Sequence, residues 1–272
     1  MRIEPTAITL GTSGLGRHSE PGSAEGRAAV DVAIDLLTSR HGFVDTSNNY
    51  SAGRSEAVIG IALRELGMDG SRVISKVDQD PETGVFDRDR VLRSFEETTA
   101  RLGVDRLPLL HLHDPYSVSF EDTISIGGAV QGLIELRSAG VVDAIGVAAA
   151  PVPLMAKYVE TGVFDAVLIH NRFTLVDHSA ESVFADAKAR WYANADEIAD
   201  FLAAANPGSW PRPMMRADMR THLDQTLAEA DHELNGDHAA RVAVYEALHD
   251  HILEMADMLT SGIIDQFPHQ VR

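Results

Sequence analysis

Over the first 180 residues, short apolar runs alternate with longer stretches whose apolar positions recur at helical spacing. The runs Ala7–Leu10, Gly42–Asp45, Arg72–Lys76, Leu107–His113, Val142–Val147 and Ala166–Ile169 read as strands, and the stretches near 23–39, 54–66, 88–102, 121–138 and 151–161 as helices. Strand–helix alternation at this pitch predicts a parallel sheet built from βα units. In the stretch 88–102, Val91, Phe95, Thr98 and Leu102 share one face, with Arg90, Glu96 and Glu97 expected largely off it. Gly67, Gly103 and Gly140 each follow a predicted helix, where a left-handed cap is wanted.

The strand signal stops after about Asp177. Three helices are expected, about 183–205, 213–234 and 237–266, separated by Asn206-Pro207-Gly208 with Pro211 and by Asn235-Gly236-Asp237. The last carries Val242, Tyr245, Leu248, Ile252, Met255, Leu259 and Ile263 in a near-heptad stripe, read as core. The pattern therefore divides the chain into 1–180, built from βα units, and 181–272, all helical, as a bundle or hairpin array.

Charge narrows the functions. Lys and Arg number 23 against 41 Asp and Glu, a formal net charge of -18, which opposes nonspecific binding to nucleic acid or an anionic membrane. There is no cysteine, which excludes disulfides, thiolate catalysis and cysteine-ligated metal. No signal-like opening and no apolar run of membrane-spanning length is seen, so a cytoplasmic location is expected.

Chemistry-bearing residues gather at predicted strand ends. Asp45 closes one strand and Tyr50 follows in the loop Thr46-Ser47-Asn48-Asn49-Tyr50; Lys76 closes the next strand and His113 the one after. Strand C-termini are where βα barrels place reacting groups. A tyrosine hydroxyl becomes a usable acid when an ammonium stabilises its phenolate, and a carboxylate can hold that ammonium in place. An imidazole can orient a carbonyl, so the set suits proton transfer coupled to hydride transfer, with a nicotinamide as hydride carrier. Taken singly, Asp45 reads as a helix-entry cap, Lys76 as a surface charge and His113 as a turn residue before Pro115. Gly11, Gly14 and Gly16 have the spacing G-x-x-G-x-G, not that of the dinucleotide fingerprint, and read as a tight turn. His111 is expected on the far side of the strand from His113, as a satisfied core histidine.

The ordered set Leu10-Gly11-Thr12-Ser13-Gly14-Leu15-Gly16, Asp45 to Tyr50 with Gly53, Ser55 and Glu56, Ile74-Ser75-Lys76, Arg93-Ser94-Phe95-Glu96 with Arg101-Leu102-Gly103, His111-Leu112-His113-Asp114-Pro115, Ile145-Gly146-Val147 and Asn171 to Asp177 resembles the aldo-keto reductases over residues 7–180. The branch it resembles most holds D-threo-aldose (L-fucose) 1-dehydrogenases and pyridoxal 4-dehydrogenase-like and L-galactose dehydrogenase-like enzymes. The resemblance implies an α/β fold, a TIM-type (βα) barrel of aldo-keto reductase type. It implies NADP or NAD as cofactor, a small carbonyl or sugar substrate, and Tyr50 as general acid/base tuned by Lys76 and Asp45, with His113 orienting the carbonyl. Asn171, and Gly14 in the first loop, would face the cofactor.

Two departures stand out. Gly146-Val147-Ala148-Ala149-Ala150-Pro151 lacks the polar residue and Asn that the family sets against the nicotinamide carboxamide, and nothing after Ala180 matches a seventh or eighth strand. An incomplete barrel followed by an all-helical segment is therefore expected, and with it an alternative function: a non-catalytic reductase scaffold whose helical segment mediates self-association or partner binding. That segment resembles helical regions of uncharacterised actinobacterial proteins. Its histidines, His222, His232, His238, His249, His251 and His269, read mostly as surface groups. A weaker alternative is a metal site formed by His222, Glu229, His249 and Asp257 on facing helices.

Overall fold

The computed structural model describes residues 8–18, 23–234 and 237–268. They form two compact units, Met1–Val183 and Phe184–Arg272.

The first unit is a six-stranded parallel sheet in the order β1-β2-β3-β4-β5-β6: β1 Leu10–Gly11, β2 Val44–Asp45, β3 Val73–Val77, β4 Leu107–His113, β5 Val142–Ala149 and β6 Ala166–Ile169. Helices α1 Ala24–Thr38, α2 Arg54–Leu66, α3 Arg88–Leu102, α4 Phe120–Ile124, α5 Ala129–Ser138 and α6 Val152–Glu160 lie between the strands. The result is an incomplete TIM-type barrel; among the described residues β1 pairs only with β2, and β6 only with β5. The first strand is shorter than expected, and Ala7 lies outside the described residues. Pairing begins only where Leu10 N donates to Phe43 O (2.9 Å) and Thr12 N to Asp45 O (3.0 Å).

Strand alternation sorts side chains to two faces. Val44, Val73, Val77, Leu110, Leu112, Ile145 and Val147 face the helices and join Val58, Leu63, Val91, Leu102 and Leu133 in one core. The opposite face begins apolar, with Ile74, Leu109 and Ala144 packed beside Phe43 and Ala166. Two residues further along it turns polar on β2, β3 and β4, at Asp45, Lys76 and His111.

The expected helix over 121–138 is two helices, and the break has a steric cause. Gly127 is left-handed (φ +83°), and a Cβ on Gly128 would stand 2.2 Å from Asp122 O. The chain turns back on α4 there, closer than any side chain allows. In α3 the apolar face is buried as expected, but Arg90 is buried too. Its Nε donates to Asp78 O (2.9 Å) and its guanidinium to Glu97 Oε1 (2.7 Å) and Asn48 Oδ1 (3.2 Å), so a charge expected at the surface ties α3 to the loops after β2 and β3. Gly67 and Gly103 cap α2 and α3 in the left-handed region, and Gly140 follows α5 in the same conformation.

The second unit holds α7 Glu181–Ala205 from Phe184 onward, α8 Arg212–Leu234 and α9 His238–Gln266. Ala199, Ala203, Trp210 and Met215 form its core, with Met258 and Leu259 of α9 packed against them. The indole of Trp210 donates to Met258 O (3.3 Å) and the Asn206 amide to Gly262 O (2.8 Å). A Cβ at Gly262 would stand 2.2 Å from the indole nitrogen, so this crossing requires glycine. The stripe on α9 corrects an expectation: Leu248 is buried, but Val242, Tyr245, Ile252 and Ile263 are 54, 52, 45 and 45% exposed. Among the described residues no helix is long and apolar enough to cross a membrane.

Candidate active site

The loop from β2 to α2 carries Tyr50 on a tight, locally strained path. Ser51 and Ala52 are left-handed without being glycine (φ +54° and +56°), and Gly53 follows at +81°. Such residues cost of order 1 kcal/mol each and persist only where surrounding contacts over-determine them. Those contacts are present. The Arg101 guanidinium packs where a Gly53 Cβ would be, 2.6 Å from its Cζ, and donates to Asn48 O (2.9 Å) and to Glu56 Oε2 (3.1 Å). Asn48 is buried and its amide donates to Ser94 O and Glu97 Oε2 on α3. Ser55 and Thr46 join hydroxyls (2.9 Å), and Ser55 also donates to Thr12 O (3.1 Å), which fixes the loop to that following β1. Glu56 accepts from Ser75 Oγ (2.7 Å); burial pushes its carboxyl above the usual range, and its bonds to Ser75 and Arg101 oppose the rise.

On the inner face Lys76 is almost fully enclosed, with 1% of its side chain exposed. A buried ammonium needs a counter-charge and acceptors. Its Nζ donates to Asp45 Oδ1 (2.5 Å) and Thr46 O (2.6 Å) and lies 4.6 Å from the centre of the Tyr50 ring. The second Asp45 oxygen, Oδ2, is buried with no partner among the described residues. His113 stands edge-on to Tyr50, ring centres 5.6 Å apart. Asp45, Tyr50, Lys76 and His113 are thus brought together at the C-terminal ends of β2, β3 and β4.

The remaining candidates lie differently. Gly14 sits exposed in the turn after β1, with nothing within 4 Å of a Cβ placed there. Asn171 is exposed and left-handed (φ +59°) in the loop after β6, beside Arg172, which pairs with Asp177 (3.2 Å). In the alanine run, Ala148 is in register with His113, so a methyl group stands beside the imidazole.

His111 corrects an expectation. It is two residues from His113, so both rings lie on the inner face, with His111 in register between Lys76 and Gly146. It is buried, its Nδ1 has no partner among the described residues, and burial first, then the proximity of Lys76 and His113, lower its pKa to about 3. Among the described residues no group of three or more histidine or acidic side chains is placed to hold a metal, which removes the His222, Glu229, His249 and Asp257 reading.

Sequence reasoning missed Asp78 and the role of Ser47. The Asp78 carboxylate contacts His113 Nδ1 (2.7 Å), accepts from Asn49 N (2.9 Å) and receives the Ser47 hydroxyl. The available signal was alternation: Asp78 follows Lys76 by two, so it lies on the same face as Lys76, at the same end of β3.

The family model described as "Aldo/keto reductase family" matches residues 7–195. The chain is 27% identical over 215 residues to the pyridoxal 4-dehydrogenase of Microbacterium luteolum, covering 66% of this chain and 62% of that one. It is 26% identical over 162 residues to a D-threo-aldose 1-dehydrogenase of a Pseudomonas species, covering 51% and 49%. It is 26% identical over 201 residues to the NADH-specific methylglyoxal reductase of Escherichia coli, covering 65% and 59%. The chain therefore spans about half to three fifths of the length of these relatives. A solved structure described as an aldo-keto reductase of Pseudomonas aeruginosa shares the fold, with a TM-score of 0.51 at 24% identity over 66% of this chain and 68% of that one.

Proposed function

The chain belongs to the aldo/keto reductase family, and from that premise we propose that it transfers a hydride between NAD(P) and a small carbonyl compound or the corresponding alcohol, with Tyr50 as the general acid/base. The observation that carries the reading is the buried Lys76–Asp45 pair beneath the Tyr50 ring, with His113 alongside. The donor set fits the reacting end of a nicotinamide. The cofactor, bound there, supplies or accepts the hydride at the carbonyl carbon. In reduction the Tyr50 hydroxyl gives its proton to the carbonyl oxygen as the C–O π electrons move onto it; in oxidation the phenolate takes that proton back. Lys76 stabilises the phenolate electrostatically, Asp45 and Thr46 hold the ammonium in place, and His113 orients the substrate oxygen. Asn171 and the turn at Gly14 are the proposed cofactor contacts. The names of the relatives favour a small aldehyde or sugar as substrate and leave both NAD and NADP in play.

Calorimetric titration with NADH and NADPH tests the reading. Micromolar binding is expected, with turnover of small aldehydes or aldoses that falls about 10²- to 10⁴-fold in Tyr50→Phe. A folded protein that binds neither cofactor at millimolar concentration sinks it. The other reading would then stand: a scaffold whose helical segment binds itself or a partner through the half-exposed face of α9.

A further inference from the structure

We propose that Asp78 is a positioning residue of this site: its carboxylate fixes the proton of His113 on Nδ1, leaves Nε2 as the nitrogen that meets the substrate oxygen, and ties the imidazole to the loop carrying Tyr50. The inference deepens the reading above and rests on it for its place in turnover.

The argument is a count of protons. His113 Nδ1 has two oxygen neighbours, Asp78 Oδ1 at 2.7 Å and Ser47 Oγ at 3.0 Å. A carboxylate can only accept. The Ser47 hydroxyl has a single proton, and it is directed to Asp78 Oδ2. Its oxygen therefore turns lone pairs toward the ring, and Nδ1 faces two acceptors. Only an N–H satisfies that arrangement, and Asp78 is the nearer of the two. On the other side of the ring the nearest acidic oxygen to Nε2 is Asp114 Oδ2 at 3.7 Å, too far for a hydrogen bond, so it does not draw the proton there. With the Nδ1 proton fixed, Nε2 is the nitrogen that meets the substrate: bare, in the neutral ring, it accepts from an alcohol, and protonated it donates to a carbonyl oxygen.

The same carboxylate reaches the other half of the site. Asp78 Oδ2 also accepts from the backbone N–H of Asn49, the residue before Tyr50 (2.9 Å). Asp78 is itself buried, and its own N–H donates to Ser94 Oγ on α3 (3.1 Å), so the group that sets the imidazole is held by the scaffold. Carboxylate, imidazole and tyrosine loop form one unit.

Nitrogen-15 NMR of the ring tests this without cofactor or turnover, with His113 assigned by its loss in His113→Ala. In the unmodified protein Nδ1 is expected to carry a proton; a bare Nδ1 overturns the proposal. In Asp78→Asn the amide oxygen can accept from Asn49 N and Ser47 while its NH₂ donates to the ring, so Nδ1 is expected to lose its proton. An Asp78→Asn protein that keeps it overturns the proposal. Ser47→Ala leaves Asp78 in contact with the ring and is expected to keep Nδ1 protonated; loss of the proton there would make Ser47 the determinant and also overturn it. If Asp78→Asn does not fold, the unmodified protein and Ser47→Ala still decide. A protein with the expected tautomer and no cofactor binding would defeat the hydride-transfer reading alone.

Discussion

His111 and Gly146 fit each other on the inner face of the sheet. A Cβ at Gly146 would stand 2.5 Å from the His111 ring, so the imidazole occupies space that only glycine leaves. Gly146→Ala is expected to destabilise the protein by about 1–3 kcal/mol, read as a lower urea midpoint, because the buried ring must shift and the Ala166 carbonyl oxygen, 3.0 Å from that Cβ, hems in the new methyl. The enclosed ring also carries an acid sensitivity. Unfolded, it takes up a proton near pH 6.5; folded, it stays neutral down to about pH 3. Between those values the unfolded chain holds the extra proton, so this contribution to stability is complete above about pH 6.5 and is lost as pH falls toward 3. Between pH 7.5 and 5.5 the parent protein is expected to lose about 1 kcal/mol more than His111→Leu in urea unfolding; equal losses would contradict it. At this scale Asp45, Tyr50, Lys76 and His113 were legible because each closes or follows a strand. Asp78 was not, because a lone aspartate after a strand looks like any turn residue until its partner on the next strand is known. Arg90 was missed because a guanidinium on an apolar flank reads as solvated; its burial depends on acceptors from two loops distant in sequence.

At the scale of elements, helix packing sets the tightest tolerances. A Cβ at Gly60 on α2 would stand 2.1 Å from Arg101 O and 3.0 Å from the Leu102 Cα on α3. Backbone meets backbone there, so neither side can yield by a rotamer change. Gly60→Ala is expected to lower the thermal midpoint by several degrees, a cost of about 1–3 kcal/mol, while Gly208→Ala, which meets nothing within 4 Å, leaves it nearly unchanged. The periodicity placed β4, β6, α2 and α3 at their observed bounds, because alternation and a left-handed cap mark those ends locally. It ran α4 and α5 together because the cause of the break is how closely the chain passes α4, which no pattern encodes. It also read the α9 stripe as core: periodicity states which residues share a face, not what covers that face.

At the scale of the molecule, a chain with a net charge of -18 is proposed to take a polyanionic cofactor. The overall field opposes that approach, and salt weakens the opposition; the screening length falls from about 30 Å at 0.01 M to about 8 Å at 0.15 M. NADPH is therefore expected to bind more tightly at 0.15 M salt than at 0.01 M, by calorimetry. Weaker binding with added salt would mean that a local cationic pocket dominates. The class of fold was legible because strand–helix alternation repeats along the first unit; the number of strands was legible for the same reason, since each carries its own apolar run. The strand order, in which every strand lies beside its predecessor, has one more consequence. From β2 onward each new strand finds its partner already made, and among the described strands only β1 waits for a later one to supply its first neighbour. A chain leaving the ribosome can add the sheet one βα unit at a time, at small cost in loop closure. The site would then assemble in the order of synthesis: the tyrosine loop first, the buried ammonium pair next, and the imidazole as the fourth strand docks.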